Sequence, residues 1–111
     1  MVRLKIKPLS ANRAWKGRRY KTKSYQSFET HVLYSLPPLK LPEKPFKISF
    51  VFGFSNVASD IDNPIKMLLD VLQKKYGFND KDVYELVVKK EIVKKLNEFF
   101  EFKIECINQT Y

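Results

Sequence analysis

Val2, Leu4 and Ile6 alternate with Arg3, Lys5 and Lys7, the period-two pattern of a strand with one buried face and one basic face, and Pro8 ends it. Residues 9–23 follow neither the strand nor the helix period and are rich in basic and aromatic side chains, which predicts an ordered loop with room for a short hairpin. Ser24 is placed to cap a helix reaching about Leu36, because Tyr25, Phe28, Val32 and Leu36 recur at helical spacing. Pro37 and Pro38 stop that helix, and Pro42 and Pro45 stiffen a surface connection within one domain. Phe46, Ile48, Phe50, Phe52 and Phe54 then alternate with Lys47, Ser49, Val51, Gly53 and Ser55, the clearest strand in the chain.

Asn63 followed by Pro64 is a helix start, an N-cap and then proline at the first helical position. Ile65, Leu68, Leu69 and Leu72 supply the buried stripe, and the helix ends near Tyr76 at Gly77. After a loop over Asn79–Asp82, the stretches from Val83 to about Lys95 and from Glu98 to Ile107 read as an antiparallel strand pair. Phe100, Phe102, Ile104 and Cys106 form the inward face of the second stretch. The order β-loop-α-β-α-β-β predicts an α/β (α+β) fold, one domain over residues 1–111 with a mixed sheet covered by two helices.

The charge balance adds a partner class. Twenty-one basic against twelve acidic residues leave a net charge of +9, which favours polyanions such as nucleic acid through counterion release. No apolar run approaches the roughly 20 residues of a membrane-spanning helix, and the basic alternation at the N-terminus is not that of a signal peptide. The single cysteine, Cys106, cannot form an internal disulfide and suits a reducing cytoplasm. It reads as a core residue of the last strand, and His31 as a surface or half-buried packing residue on a helix.

Negative charge is localised. All five aspartates, Asp60, Asp62, Asp70, Asp80 and Asp82, fall between residues 60 and 82. Asp60 and Asp62 point to one side if the extended conformation persists past the Phe46–Phe54 strand, while Lys66, Asp70 and Gln73 share a helix face. Convergence of these acids with Asp80 would need a cation to relieve their repulsion. Magnesium, a hard ion taking oxygen ligands, is the natural occupant, and Lys66 beside it would offset charge building on a phosphate. The same Asp-Ile-Asp-Asn-Pro run is more often a helix-capping turn with solvated carboxylates than a metal site, and Lys66 with Asp70 reads as an exposed i, i+4 pair. Trp15, Tyr20 and Tyr25 are open between stacking on bases and anchoring the loop.

The run Asp60-Ile61-Asp62-Asn63-x-x-Lys66-x-x-x-Asp70 resembles the signature of the RusA family of Holliday junction resolvases. The likeness continues through Gly77-Phe78-Asn79-Asp80-Lys81-Asp82-Val83, a following strand in which Lys90 best matches a family lysine, and Pro8-Leu9-Ser10-Ala11-Asn12 near the start. It implies a homodimeric endodeoxyribonuclease that resolves four-way junctions by paired symmetric nicks, using Mg²⁺ with Mn²⁺ able to substitute. Asp60, Asp62 and Asp80 would be the metal-binding carboxylates, Lys66 the catalytic lysine, and Asp82 or Asp70 an extra acid. The turn departs from the family pattern at Asn79, where a second acid often stands, and Ser55–Ser59 replaces a basic run. DNA contact would then fall to Lys5, Lys7, Asn12, Arg13, Lys16, Arg18, Arg19, Lys74, Lys75 and Lys90. Two other readings stay open at this point: a nuclease of other branched DNA, and a DNA-binding dimer that has lost catalysis.

Overall fold

Two adjacent strands of a four-stranded sheet share one phenylalanine-rich row, and that row positions the rest of the core. The computed structural model describes residues 1–8, 15–16, 20–21 and 23–107, with only the backbone described at 15–16 and 20–21. In chain order the elements are β1 (Val2–Leu4), β2 (Trp15–Lys16), β3 (Tyr20–Lys21), α1 (Lys23–Ser35), β4 (Phe46–Phe54), α2 (Ile65–Tyr76), a single 3-10 turn (Asp80–Asp82), β5 (Val83–Ile92) and β6 (Phe99–Cys106). β2 and β3 form the short hairpin for which the loop left room.

The main sheet has the order β1-β6-β4-β5. β4 is central, antiparallel to β6 and parallel to β5, so the mixed sheet is as expected but its last two strands are not partners. The expected antiparallel β5–β6 pair is corrected here. The helix α2 carries the chain back along the sheet between β4 and β5, and a strand–helix–strand unit lays its strands parallel. β6 takes the other side of β4, where Phe100 and Phe102 stand opposite Phe52 and Phe50 on the buried face. β1 closes that side, with Val2 opposite Phe102 and Leu4 opposite Phe100.

Alternation dictates two layers. The even-numbered residues of β4 are buried and join Phe28, Val32 and Leu36 of the α1 region and Leu68, Val71 and Leu72 of α2 in one cluster. Phe50, Phe52, Phe100 and Phe102 are essentially sealed from solvent, which makes this row the main source of burial energy. The other sheet face carries Lys47, Ser49 and Val51 and remains half exposed. Position 53, on that face by alternation, is glycine where a Cβ would come within 2.3 Å of the Phe99 ring.

Helix ends differ from expectation by a residue or so. Lys23, not Ser24, is the first helical residue of α1, so Ser24 lies inside the helix. α2 begins at Ile65 with Pro64 as its cap residue, whose carbonyl accepts from Leu68 N–H at 3.1 Å. Asn63 does not cap, since its side-chain amide donates to Asp60 Oδ2 at 3.4 Å. At the far end Gly77 sits at φ 72°, the left-handed conformation that glycine adopts without penalty, and its N–H donates to Gln73 O at 2.8 Å. Tyr25, one of the aromatics open between base stacking and anchoring, is a fully buried core residue. No helix among the described residues is long and apolar enough to cross a membrane.

Candidate active site

The chain leaves β4 at Phe54 and reaches α2 through ten residues that carry Asp60 and Asp62. This segment is not extended, so the two carboxylates are not presented by strand alternation as expected. It folds into successive turns instead: Ser59 N–H donates to Asn56 O at 3.1 Å, Asn63 N–H to Asp60 O at 3.4 Å, and Ile65 N–H to Asp62 O at 3.2 Å. Asn56 nucleates the first turn, its side-chain oxygen accepting from Ala58 N–H at 2.9 Å. Asp60 and Asp62 remain exposed at the N-terminal end of α2, where the helix dipole favours negative charge. Lys66, the second residue of the same helix, is exposed four residues after Asp62.

Two groups outside the acidic run hold this loop. The Lys90 ammonium, on β5, donates to Val57 O at 2.8 Å and to Ser59 O at 2.5 Å. Lys90, expected as a DNA contact, thus spends two of its three N–H bonds on the backbone leading into Asp60. On the β6 side, Ser55 Oγ donates to Glu98 Oε2 at 2.7 Å, and Glu98 Oε1 accepts from Leu96 N–H at 2.7 Å. The Ser55 hydroxyl, then the backbone N–H groups, hold the Glu98 carboxyl below its ordinary value, and the charge of Lys7 adds to this. Sequence reasoning missed Glu98 entirely, and a lone glutamate between Asn97 and Phe99 carries no local signal.

The remaining acids lie elsewhere. Because β4 and β5 are parallel and aligned from Phe46/Val83 to Phe54/Ile92, the Asp80–Asp82 turn precedes β5 at the end of the sheet opposite Asp60. α2 spans about 18 Å between the two ends at 1.5 Å per residue. Asp80 N–H donates to Gln73 Oε1 at 2.9 Å, beside the helix C-terminus, and Asp82 pairs with Lys44 at 3.3 Å. The expected meeting of Asp60, Asp62 and Asp80 does not occur within one chain, since a straight helix separates them. Asp70, the other extra acid considered, is half-buried in mid-helix near Tyr25. Its charge, after burial, raises the Tyr25 phenol above its ordinary value.

Of the expected DNA contacts, Lys74 is paired with Glu29 at 2.9 Å, while Lys75, Lys5 and Lys7 are exposed. Asn12, Arg13, Arg18 and Arg19 lie outside the described residues, as does the side chain of Lys16. Among the described residues no group of three His, Cys, Asp or Glu side chains could hold a metal ion. Asp60 and Asp62 alone still suit magnesium, which commonly takes one or two carboxylates and fills its octahedron with water and substrate phosphate.

An α+β domain that sets two exposed carboxylates and a lysine at the end of its central strand, on a chain of strongly basic charge, has the makings of a phosphodiesterase acting on nucleic acid. The family of the RusA endodeoxyribonuclease matches residues 5–99, and the chain belongs to it. Its membership makes it an endonuclease of the kind that resolves Holliday junctions, with branched DNA as substrate. No curated protein matches the chain.

Proposed function

We propose that the chain cleaves four-way DNA junctions as a homodimer, in a Mg²⁺-dependent reaction that places paired symmetric nicks. The observation that carries this is the built turn at the end of β4, with Asp60, Asp62 and Lys66 gathered at one helix N-terminus in a chain of the RusA family. Asp60 and Asp62 are the residues that would hold the cation, which when bound neutralises phosphate charge and acidifies an attacking water. Lys66 offers an ammonium to the negative charge developing on the scissile phosphate. Lys90 and Glu98 hold the backbone that leads into Asp60, through Val57, Ser59 and Ser55, which limits the ordering left to the reaction.

The separation of Asp80 from Asp62 bears on the dimer. Asp80 can serve the same cation only when it comes from a second copy, so the family's three-acid pattern favours a homodimer for this chain. A four-way junction has near-twofold symmetry, and a twofold dimer offers it two equivalent sites.

The test compares junction binding and cleavage for Asp62→Asn and Lys66→Met. Asp62→Asn should lower cleavage by about 100-fold or more while binding junction DNA at least as well, because a carboxylate facing phosphate is neutralised. Equal cleavage by Asp62→Asn and the unsubstituted chain would remove the proposed site. Tight junction binding with no cleavage in either protein, under any divalent metal, would instead mark a binding-only dimer.

A further inference from the structure

β4 and β5 run parallel and end together, at Phe54 and Ile92, so the turn that leaves β5 stands at the same end of the sheet as the acidic loop. Val93 N–H donates to Phe54 O at 2.8 Å and ties the two exits to each other. Lys94 to Asn97 then form a tight turn, closed by Asn97 N–H donating to Lys94 O at 3.0 Å. Leu96 is its third residue and sits at φ 76°, the only non-glycine at positive φ among the described residues. A type II turn asks for that conformation at its third position and usually fills it with glycine or asparagine. Leucine there is strained by its Cβ, and at 87% exposed it gains no burial to offset the strain.

A single exposed leucine is ordinary on a protein surface. Here the strained position is also held. Glu98, the one buried charged residue among the described residues, accepts from Leu96 N–H through Oε1 at 2.7 Å and from Ser55 Oγ through Oε2 at 2.7 Å. The same carboxylate therefore fixes the tip of the turn and the first residue of the loop that leads to Asp60. Lys94 and Lys95 are exposed on the turn beside Leu96. An apolar tip next to two cations, coupled to the carboxylate loop, has the chemistry of a wedge for nucleic acid: the lysines meet phosphates and the side chain meets the face of a base.

We propose that Leu96 is the residue by which the chain distinguishes a branch point from continuous duplex. The proposal deepens the junction reading of the proposed function and rests on it. In a duplex every base pair is stacked on both faces, so an inserted side chain has first to separate two of them, at a cost. Where four arms meet, the terminal pairs of the arms can part and uncover a face, and an apolar side chain covers it at lower cost. Lys94 and Lys95 add an attraction that duplex and junction share. The wedge supplies what a net charge of +9 cannot, a preference for shape.

The test measures the affinity of the full chain for a synthetic four-way junction and for linear duplex of the same sequence. Both are measured at one salt concentration and in chelator, so that no strand is cut. Leu96→Asn accepts the positive φ and removes the apolar tip. It should lower the junction-to-duplex affinity ratio about tenfold, the order of one apolar side chain losing its contact, and unfold in urea no more readily than the unsubstituted chain. Leu96→Met should retain most of the ratio. Lys94→Gln and Lys95→Gln should each weaken both substrates together and reduce the salt dependence by about one ion. The fluorescence of 2-aminopurine in a branch-point pair should change on binding more than that of 2-aminopurine in mid-arm, and the difference should vanish with Leu96→Asn. A ratio unchanged in Leu96→Asn, or a lowered ratio with the fluorescence difference intact, would overturn the wedge. An unsubstituted chain that holds junction and duplex equally would remove the junction reading itself, and the wedge with it.

Discussion

Lys90 shows how a single side chain anchors the acidic loop. Its ammonium bridges the carbonyls of Val57 and Ser59 and ties the segment before Asp60 to β5. Lys90→Met keeps the stem and removes both bonds, so cleavage should fall about ten- to hundredfold in kcat while the fold and junction affinity are retained. Single-turnover cleavage at saturating enzyme checks this, and a loss confined to junction affinity would return Lys90 to DNA contact. Glu98 provides a pH-dependent counterpart on the other side of the loop. Its carboxyl is held below the ordinary value by the Ser55 hydroxyl, so its stabilising contribution is complete above the unfolded carboxyl value and is lost as pH falls through the lower folded value. Urea unfolding between about pH 6 and about pH 3 should therefore show an acid-side loss of stability that is smaller in Glu98→Gln. At this scale the sequence named Asp60, Asp62, Lys66 and Lys90 by pattern and likeness. The turn that holds the carboxylates was one of the two readings of the Asp-Ile-Asp-Asn-Pro run; its anchoring was not legible, because it comes from Asn56 and from Lys90 thirty-odd residues away.

β4 carries the fold at the scale of elements, since it alone is hydrogen-bonded on both sides by long strands and covered by both helices. Phe52→Ala, at a side chain with no exposure, should cost about 3–5 kcal/mol in chemical denaturation, the range for a buried phenylalanine that leaves a cavity. A cost below about 1 kcal/mol would mean that the row does not act as the core. The position of every long element was legible from periodicity: the alternating Phe46–Phe54 run, the Leu stripe of α2 and the Phe100–Cys106 face all lie where their spacing put them. Strand partnership was not legible. Adjacent strands in sequence suggested a β5–β6 hairpin, whereas both strands flank β4. Alternation along a strand tells which face is buried, and says nothing of which neighbour occupies each edge.

For the whole molecule, the decisive feature is the distribution of acids over the two ends of one sheet. Asp60 and Asp62 lie past the C-terminal end of β4, together with Lys7 near Glu98, whereas Asp80 and Asp82 lie before β5 at the other end. One chain thus presents part of its aspartate cluster at each end of the sheet. The net charge of +9 supplies the attraction to DNA, which should weaken steeply with added salt. That term is blind to structure in the DNA, so selectivity for a branched substrate has to come from the geometry of the binding surface.

The most direct measurement is therefore strand cleavage of a labelled synthetic four-way junction by the unsubstituted chain, beside linear duplex of the same sequence, with Mg²⁺ and with a chelator. Paired nicks at symmetric positions, on the junction alone and only with the cation, are the predicted result. Cleavage of duplex and junction alike, or cleavage that persists in the chelator, would contradict a cation-dependent junction resolvase.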